Sequence, residues 1–296
     1  MRKRITRIVD GASINANGET ISKDLPSDFV VTALAIQMKG ANVTDEATLA
    51  ELLAGLGTIE VSTRNGTPIN WDADDLLYFN RALYGKFPYV TKTTGAGADN
   101  DIRRISLMLP LNPKGVWDQS MGITPQAGGK VRQVLGTDTA AGADARTLTI
   151  SAIGIEGINP PHFMGAYLDS FTSQLGDNFR DIQSDRVVEM IGAYLFATTG
   201  SEDLSSSDAL GAKHLGWAVS KSIKEKVHTH ILQNLFDVVD WQLASGIAAP
   251  NSDYTLLDLG VRDGNGMPYV KDEQVYVDAG VAEAMRLYPL LKIRNQ

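Results

Sequence analysis

The sequence predicts an all-β protein with short helices, built as two consecutive sandwiches of similar design. Three observations carry this. The stretch "DLPSDFVV" (24–31) returns as "DIQSDRVV" (181–188), with five of eight positions identical: Asp24/Asp181, Ser27/Ser184, Asp28/Asp185, Val30/Val187 and Val31/Val188. After each copy the order of features also repeats: strands, a polar turn, a helix, then further strands. Glycine and proline collect between short segments of period two, as sandwiches require.

In the first half, "FVVTALAIQMKG" places Val30, Leu34, Ile36 and Met38 at period two with Thr32 in register, the pattern of a half-buried strand. Next, "LGTIEVSTRNG" alternates Ile59, Val61 and Thr63 against Thr58, Glu60 and Ser62. Asn65-Gly66 then supplies a hairpin dipeptide, because both residues tolerate positive φ. In "WDADDLLYFNRALYG", Asp72 is placed to cap a helix with Asp75 at its third position, and Trp71 can staple to Leu76. Leu76, Phe79 and Leu83 share one face and Gly85 ends the run, which predicts a helix over 72–84. Strands return in "IRRISLMLPL" (Ile105, Leu107, Leu109), "KVRQVLGTD" and "RTLTISAIGIEG", where Leu148, Ile150 and Ala152 oppose Thr149 and Ser151.

The second half follows the same programme. "RVVEMIGAYLFATTG" matches the first long strand, and "LGWAVSKSIKEKV" is the counterpart of "LGTIEVSTRNG". A helix is expected over 230–245, with Thr229 as cap, Leu232, Leu235, Phe236, Val239 and Leu243 as its stripe, and Gly246 at its end. "DYTLLDLGVRDGNG" and "EQVYVDAG" read as strands. "GVAEAMRLYPLLKI" suits helix or strand, although Pro289 would stop a helix. The pairs Gly40/Gly200, Gly57/Gly216 and Gly85/Gly246 keep the two halves in step. "EGINPPHF" reads as the linker, dividing residues 1–159 from 160–296. Each half is long enough for an eight-stranded jelly-roll barrel with one inserted helix.

Composition bounds the function. The 296 residues are 43% apolar and 21% charged, enough to fill two cores. The absence of cysteine excludes disulfides, thiolate metal sites and cysteine nucleophiles. A net charge of -8 argues against a general nucleic-acid binder. No stretch approaches the roughly 18 to 20 apolar residues that span a bilayer. One basic cluster opens the chain: "MRKRITRIV" carries Arg2, Lys3, Arg4 and Arg7, with polar residues interrupting the apolar ones, unlike a secretory signal.

The pattern resembles the double jelly-roll major capsid proteins of tailless icosahedral viruses, the lineage of membrane-containing bacteriophages and adenoviruses. "ITRIVDGASINANGETISKDLPSDFVVTALAIQMKG" is similar to that family's basic N-terminal arm and first long strands, and "IEVSTRNGTPINWDADDLLYFNRALYG" to its run of strand, turn and helix. The doubled programme covers nearly the whole chain, in pattern rather than in a fixed motif. The resemblance implies pseudo-hexameric trimers that build an icosahedral shell. It further implies a virion location after assembly in the host cytoplasm, and no enzymatic activity or cofactor. Implied partners are neighbouring capsomers, minor capsid and penton proteins and an internal membrane where one exists, with no specific nucleic acid. Long insertions of the kind that build outer towers are missing, so any decoration falls on 91–101 or 197–211.

Other readings of single residues are plain. His228 and His230 would share a face on a strand and could hold a metal, but on a helix they point about 200° apart and suit a surface or capping role. "RDGNGMPYVKDE" superficially resembles a calcium loop through Asp263, Asn265, Asp272 and Glu273, yet reads as a hairpin between strands. "TTGAGADND" lacks the Lys-Ser/Thr and helix that a phosphate cradle needs. Acidic pairs such as Asp74-Asp75 have no demonstrated spacing for glycoside chemistry, and no Ser-His-Asp arrangement appears. A carbohydrate-binding or carbohydrate-active protein on a two-jelly-roll scaffold is the rival class; its aromatic platform is not evident in the scattered Trp71, Trp117, Trp217 and Trp241. Arg2, Lys3, Arg4 and Arg7 read either as a solubilising terminus or, on the resemblance, as contacts to an anionic inner surface or a neighbouring subunit.

Overall fold

The structure, a computed structural model, describes residues 1–14, 18–41, 49–64, 66–84, 90–92, 102–136, 145–183, 186–197, 211–229, 232 and 254–295. The chain forms two compact units. One holds the described residues up to Met164 together with Asn295, the other those from Gly165 to Arg294.

The first unit contains β1 (Arg2–Ile14), β2 (Thr20–Asp24), β3 (Val30–Ala41), β4 (Thr58–Thr63), β5 (Gly66–Asp72), the short β6 (Val90–Lys92), β7 (Ile102–Pro110), β8 (Lys130–Val134) and β9 (Ala145–Glu156). Helix α1 (Leu49–Leu56) precedes β4, and α2 (Ala73–Tyr84) follows β5. One sheet runs β1-β9-β3-β7-β6 and the other β5-β4-β8-β2. With β6 set aside, the eight main strands are ordered first-eighth-third-sixth and second-seventh-fourth-fifth. That is jelly-roll order.

After β10 (His162–Ala166), the second unit contains β11 (Asp169–Thr172), β12 (Gly176–Asp181), β13 (Val187–Ala197), β14 (Ala212–Val219), β15 (Ser222–His228), β16 (Tyr254–Asp258), the two-residue β17 (Met267–Pro268), β18 (Glu273–Ala279) and β19 (Ala284–Arg294). Its strands pair as β11-β19-β13-β16 and β12-β18-β14-β15. Numbered within the unit, with β17 set aside, this is the same order again. The predicted fold class, two tandem eight-stranded jelly rolls with short helices, is therefore the observed one.

Period-two burial builds each core. In the first unit Leu34, Ile36 and Met38 stand opposite Leu109, Leu107 and Ile105 on one side and Ala152, Ile150 and Leu148 on the other. All nine are buried, and each large side chain contributes roughly 1.5–3 kcal/mol over an exposed position. The segment 284–294 resolves to a strand. Pro289 pairs with Ala193 of β13, while the ladder to β11 ends at Asp169–Leu287, so β11 requires no N–H from Pro289.

The echo between 24–31 and 181–188 is structural. Asp24 and Asp181 each end the second strand of their unit, and Val30 and Val187 each begin the third. Ser184 and Asp185 lie outside the described residues, as do Asn65, Gly85, Gly200, Gly246, Trp241, most of 91–101 and 197–211, and, apart from the buried Leu232, the helix expected over 230–245.

Two readings change. Gly57 and Gly216 are not equivalent. Gly57 closes α1 with φ 61°, a left-handed conformation that favours glycine, whereas Gly216 sits inside β14. Nor is 259–266 a hairpin. Both β16 and β17 run antiparallel to β13, through Gly192↔Asp258 and Met190↔Met267. The segment between them leaves the edge of the sheet and rejoins it in the same direction.

Candidate functional surface

The four basic residues lie on β1, an edge strand of the first unit paired to β9 from Arg2↔Glu156 to Ile14↔Arg146. The expected arm is thus built into the sheet as its first strand. Strand alternation sends Arg2 and Arg4 to one face and Lys3 and Arg7 to the other. They do not form one basic patch.

Their surroundings differ as well. Arg4 is half-buried between carboxylates, with Nε 3.1 Å from Glu156 Oε2 and Nη2 3.6 Å from Asp28. Arg7 pairs with Asp10 at 3.1 Å, both well exposed, so that contact adds little stability. Lys3 Nζ lies 4.9 Å from the centre of the Trp117 ring, within reach of a cation–π attraction. Arg2 is exposed. Around Lys3 and Arg7 the exposed surface also presents Ile5, 65% accessible.

This edge is guarded against strand addition. An open edge offers unpaired N–H and C=O groups to any other chain, and proteins blunt it with cations and bulges. β1 has both: the cations above, and register shifts at Arg7/Val9 and Val9/Ala12. Gly11, at φ 59°, lies in the second shift, and its N–H donates to Thr149 Oγ1 at 3.1 Å. Contacts to other molecules along β1 must therefore run through side chains.

The remaining sequence candidates separate in space. Asp258 is the better explained acid near the glycine-rich turn: its Oδ1 accepts the N–H groups of Gly260 (2.9 Å) and Val261 (2.7 Å). Glu273 Oε2 accepts from Val270 N–H. Among the described residues no three His, Asp or Glu side chains are grouped as metal ligands. Trp71 is buried and stacks on Phe79 at 4.7 Å, an interior role rather than a sugar platform. The staple expected from Trp71 to Leu76 is in effect a ring stack one turn further along α2. His228, weighed with His230, faces instead His214 across the β14–β15 hairpin. Spacing along the sequence hides that pairing, because it depends on where the hairpin turns.

That turn is Ser220-Lys221, with φ 49° and 63°. Both central residues occupy the left-handed region that a mirror-type hairpin turn needs, without the usual Asn-Gly.

No protein-family model matches the sequence, and no curated protein matches it. Solved structures do. The crystal structure of the major capsid protein of STIV, the Sulfolobus Turreted Icosahedral Virus, has a TM-score of 0.70 with 8% identity, covering 99% of this chain and 97% of that one. The major capsid protein P2 of bacteriophage PM2 scores 0.61 with 10% identity, covering 100% and 98%. A chain of the PBCV-1 virus capsid scores 0.56 with 9% identity, covering 99% and 95%. At such low identity the likeness is one of fold. The chain has the double jelly-roll fold of these capsid proteins over nearly its whole length.

Proposed function

We propose that this chain is a viral major capsid protein whose two jelly rolls, residues 1–159 and 160–296, assemble as pseudo-hexameric trimers into an icosahedral shell. The observation that carries the proposal is the repetition of one strand order in both units, joined to a fold likeness that leaves almost no part of either chain over. A protein that fills sixfold positions with three copies needs two similar lateral bodies per chain. Repeating the barrel supplies them. The net charge of -8 keeps free subunits apart until specific contacts form.

In this reading the protein performs no chemistry and needs no cofactor. Its partners are other copies, minor capsid or penton proteins and, where the virion has one, an internal membrane. Its site of action is the virion, after assembly in the host cytoplasm. Arg2, and Lys3 with Arg7 on the opposite face of β1, are all exposed and are the cations available to an anionic surface or neighbour, whereas Arg4 already has two carboxylates.

The test is the state of the purified full chain. Native mass spectrometry should give three copies of the 31.9 kDa chain, and negative-stain images of assembly reactions should show pseudo-hexagonal capsomers or closed shells. A stable monomer at micromolar concentration, with no particles under any assembly condition, overturns the proposal.

A further inference from the structure

A row of direct cross-strand partners runs over the four-stranded sheet of the second unit: His228 on β15, His214 on β14, Asp278 on β18 and Asp177 on β12. Direct partners project from the same face and touch. His214 Nδ1 lies 2.8 Å from Asp278 Oδ2, and His214 Nε2 lies 3.1 Å from His228 Nε2. The carboxylate holds the imidazole proton at Nδ1, so His214 presents an unprotonated Nε2 to its neighbour.

The two rings are not arranged end to end. Their centroids are 3.9 Å apart and their planes tilted by 41°, whereas a linear N–H···N bond would draw the rings out along one line. What the geometry does provide is two Nε2 atoms side by side. With metal–nitrogen bonds of about 2.05 Å, a 3.1 Å separation subtends roughly 100° at an ion, between the octahedral and tetrahedral angles. A rotation of the exposed His228 ring completes the convergence.

We propose that His214 and His228 chelate a divalent transition-metal ion through their Nε2 atoms, with Asp278 fixing the tautomer and orientation of His214. Imidazole nitrogen selects Zn²⁺, Ni²⁺ or Cu²⁺ over Ca²⁺ and Mg²⁺, which take oxygen. Among the described residues no third protein ligand completes a cage, so water fills the remaining positions. Asp278 and Asp177 add negative charge beside the ion; Asp177 is itself held by Tyr276, whose hydroxyl donates to its Oδ1 at 2.7 Å. The ion would clip β15, an edge strand exposed along nearly its whole length, to β14.

The test is titration of the full chain with Zn²⁺ alone at neutral pH, followed by calorimetry and by thermal melting. One ion per chain and a rise in melting temperature are expected. His214→Gln and His228→Gln should each abolish both effects, and Asp278→Asn should weaken binding about 10- to 100-fold. Melting curves without metal show whether each variant is folded; His228→Gln, at an exposed position, provides the variant that keeps the fold. No saturable binding, or binding that survives both histidine substitutions, overturns the site, and full affinity in Asp278→Asn overturns the orienting role. None of these outcomes bears on capsid assembly.

Discussion

Asn295 shows how much one side chain can hold. Its Nδ2 donates to the carbonyls of Gly122 (2.7 Å) and Pro160 (2.9 Å), its Oδ1 accepts from Thr124 N–H, and its own N–H donates to Pro161 (2.7 Å). Asn295→Ala would strand three buried backbone groups in the first unit, and urea unfolding should register a loss of about 2–4 kcal/mol. Glu273 is the opposite case. It is buried, its Oε1 has no partner, and desolvation raises its pKa despite the hydrogen bond from Val270. A carboxyl with a raised folded pKa weakens the fold above that pKa, and stability returns as pH falls through it towards the unfolded value. Glu273→Gln keeps the acceptor for Val270 and removes the charge, so it should raise the melting temperature at pH 7 and have less effect near pH 4. At this scale the sequence is only partly readable. Asp24/Asp181 and Val30/Val187 fall at equivalent strand ends because turn chemistry is local. Gly57 and Gly216 look alike in the sequence but answer to different demands. A Cβ at Gly57 would approach Val134 O within 2.3 Å in a left-handed turn, and one at Gly216 would meet a backbone carbonyl across the hairpin. Asn295 carries no sequence signal, since its side-chain partners lie 135 to 173 residues away.

Helix α2 illustrates the same division among elements. Its existence and bounds were readable from periodicity and turn residues: predicted over 72–84, it spans Ala73–Tyr84. Its anchoring was not. Asn80 Nδ2 donates to Met108 O at 2.6 Å and Met108 N–H donates to Asn80 Oδ1 at 2.8 Å, so one amide imitates a neighbouring strand. Among the described residues β6 pairs with β7 from Lys92↔Arg103 to Val90↔Ile105, and the Asn80 amide takes up both backbone groups of Met108 beyond that ladder. Asn80→Ala should cost about 2–3 kcal/mol through two lost bonds and two unpaired groups, and should speed hydrogen exchange at the Met108 amide; unchanged exchange would show the anchor to be dispensable. Helix α1 has a weaker signature: Leu49, Leu52, Leu53 and Leu56 have helical spacing, but eight residues give a short pattern beside the strong strand signal of "TIEVS". The basic segment differs for a related reason. Its charge is that of an arm, yet β9 supplies 2–7 with a ladder of partners, and an edge strand accepts cations that a central one would not.

On the scale of the whole molecule, the repeated programme was legible because each jelly roll draws the same local elements in the same order, while pairing the first strand with the eighth is decided by topology alone. Incorporating 2–14 into β1 also changes how the basic residues must be tested. Removing 2–7 would take away the half of β1 whose partners run from Glu156 to Ser151, so lost assembly would follow from a damaged barrel as readily as from lost charge. Lys3→Glu with Arg7→Glu is the cleaner experiment. Both side chains are exposed, Lys3 lies over the exposed Trp117 ring, and the Arg7–Asp10 pair is too solvated to matter much for folding. On the proposed capsid role, the double variant should melt close to the parent and form trimers as the parent would. If these cations meet an anionic surface or neighbour, shell yield should fall, and fall further at low salt, where like charges now facing each other are least screened; at 0.1 M ionic strength the screening length is about 10 Å. Retained trimers with lost shells would place Lys3 and Arg7 at contacts between capsomers or with the inner layer. Normal shells at every salt concentration would leave β1 with a purely structural task, closing the first sheet and keeping its edge from pairing with other chains.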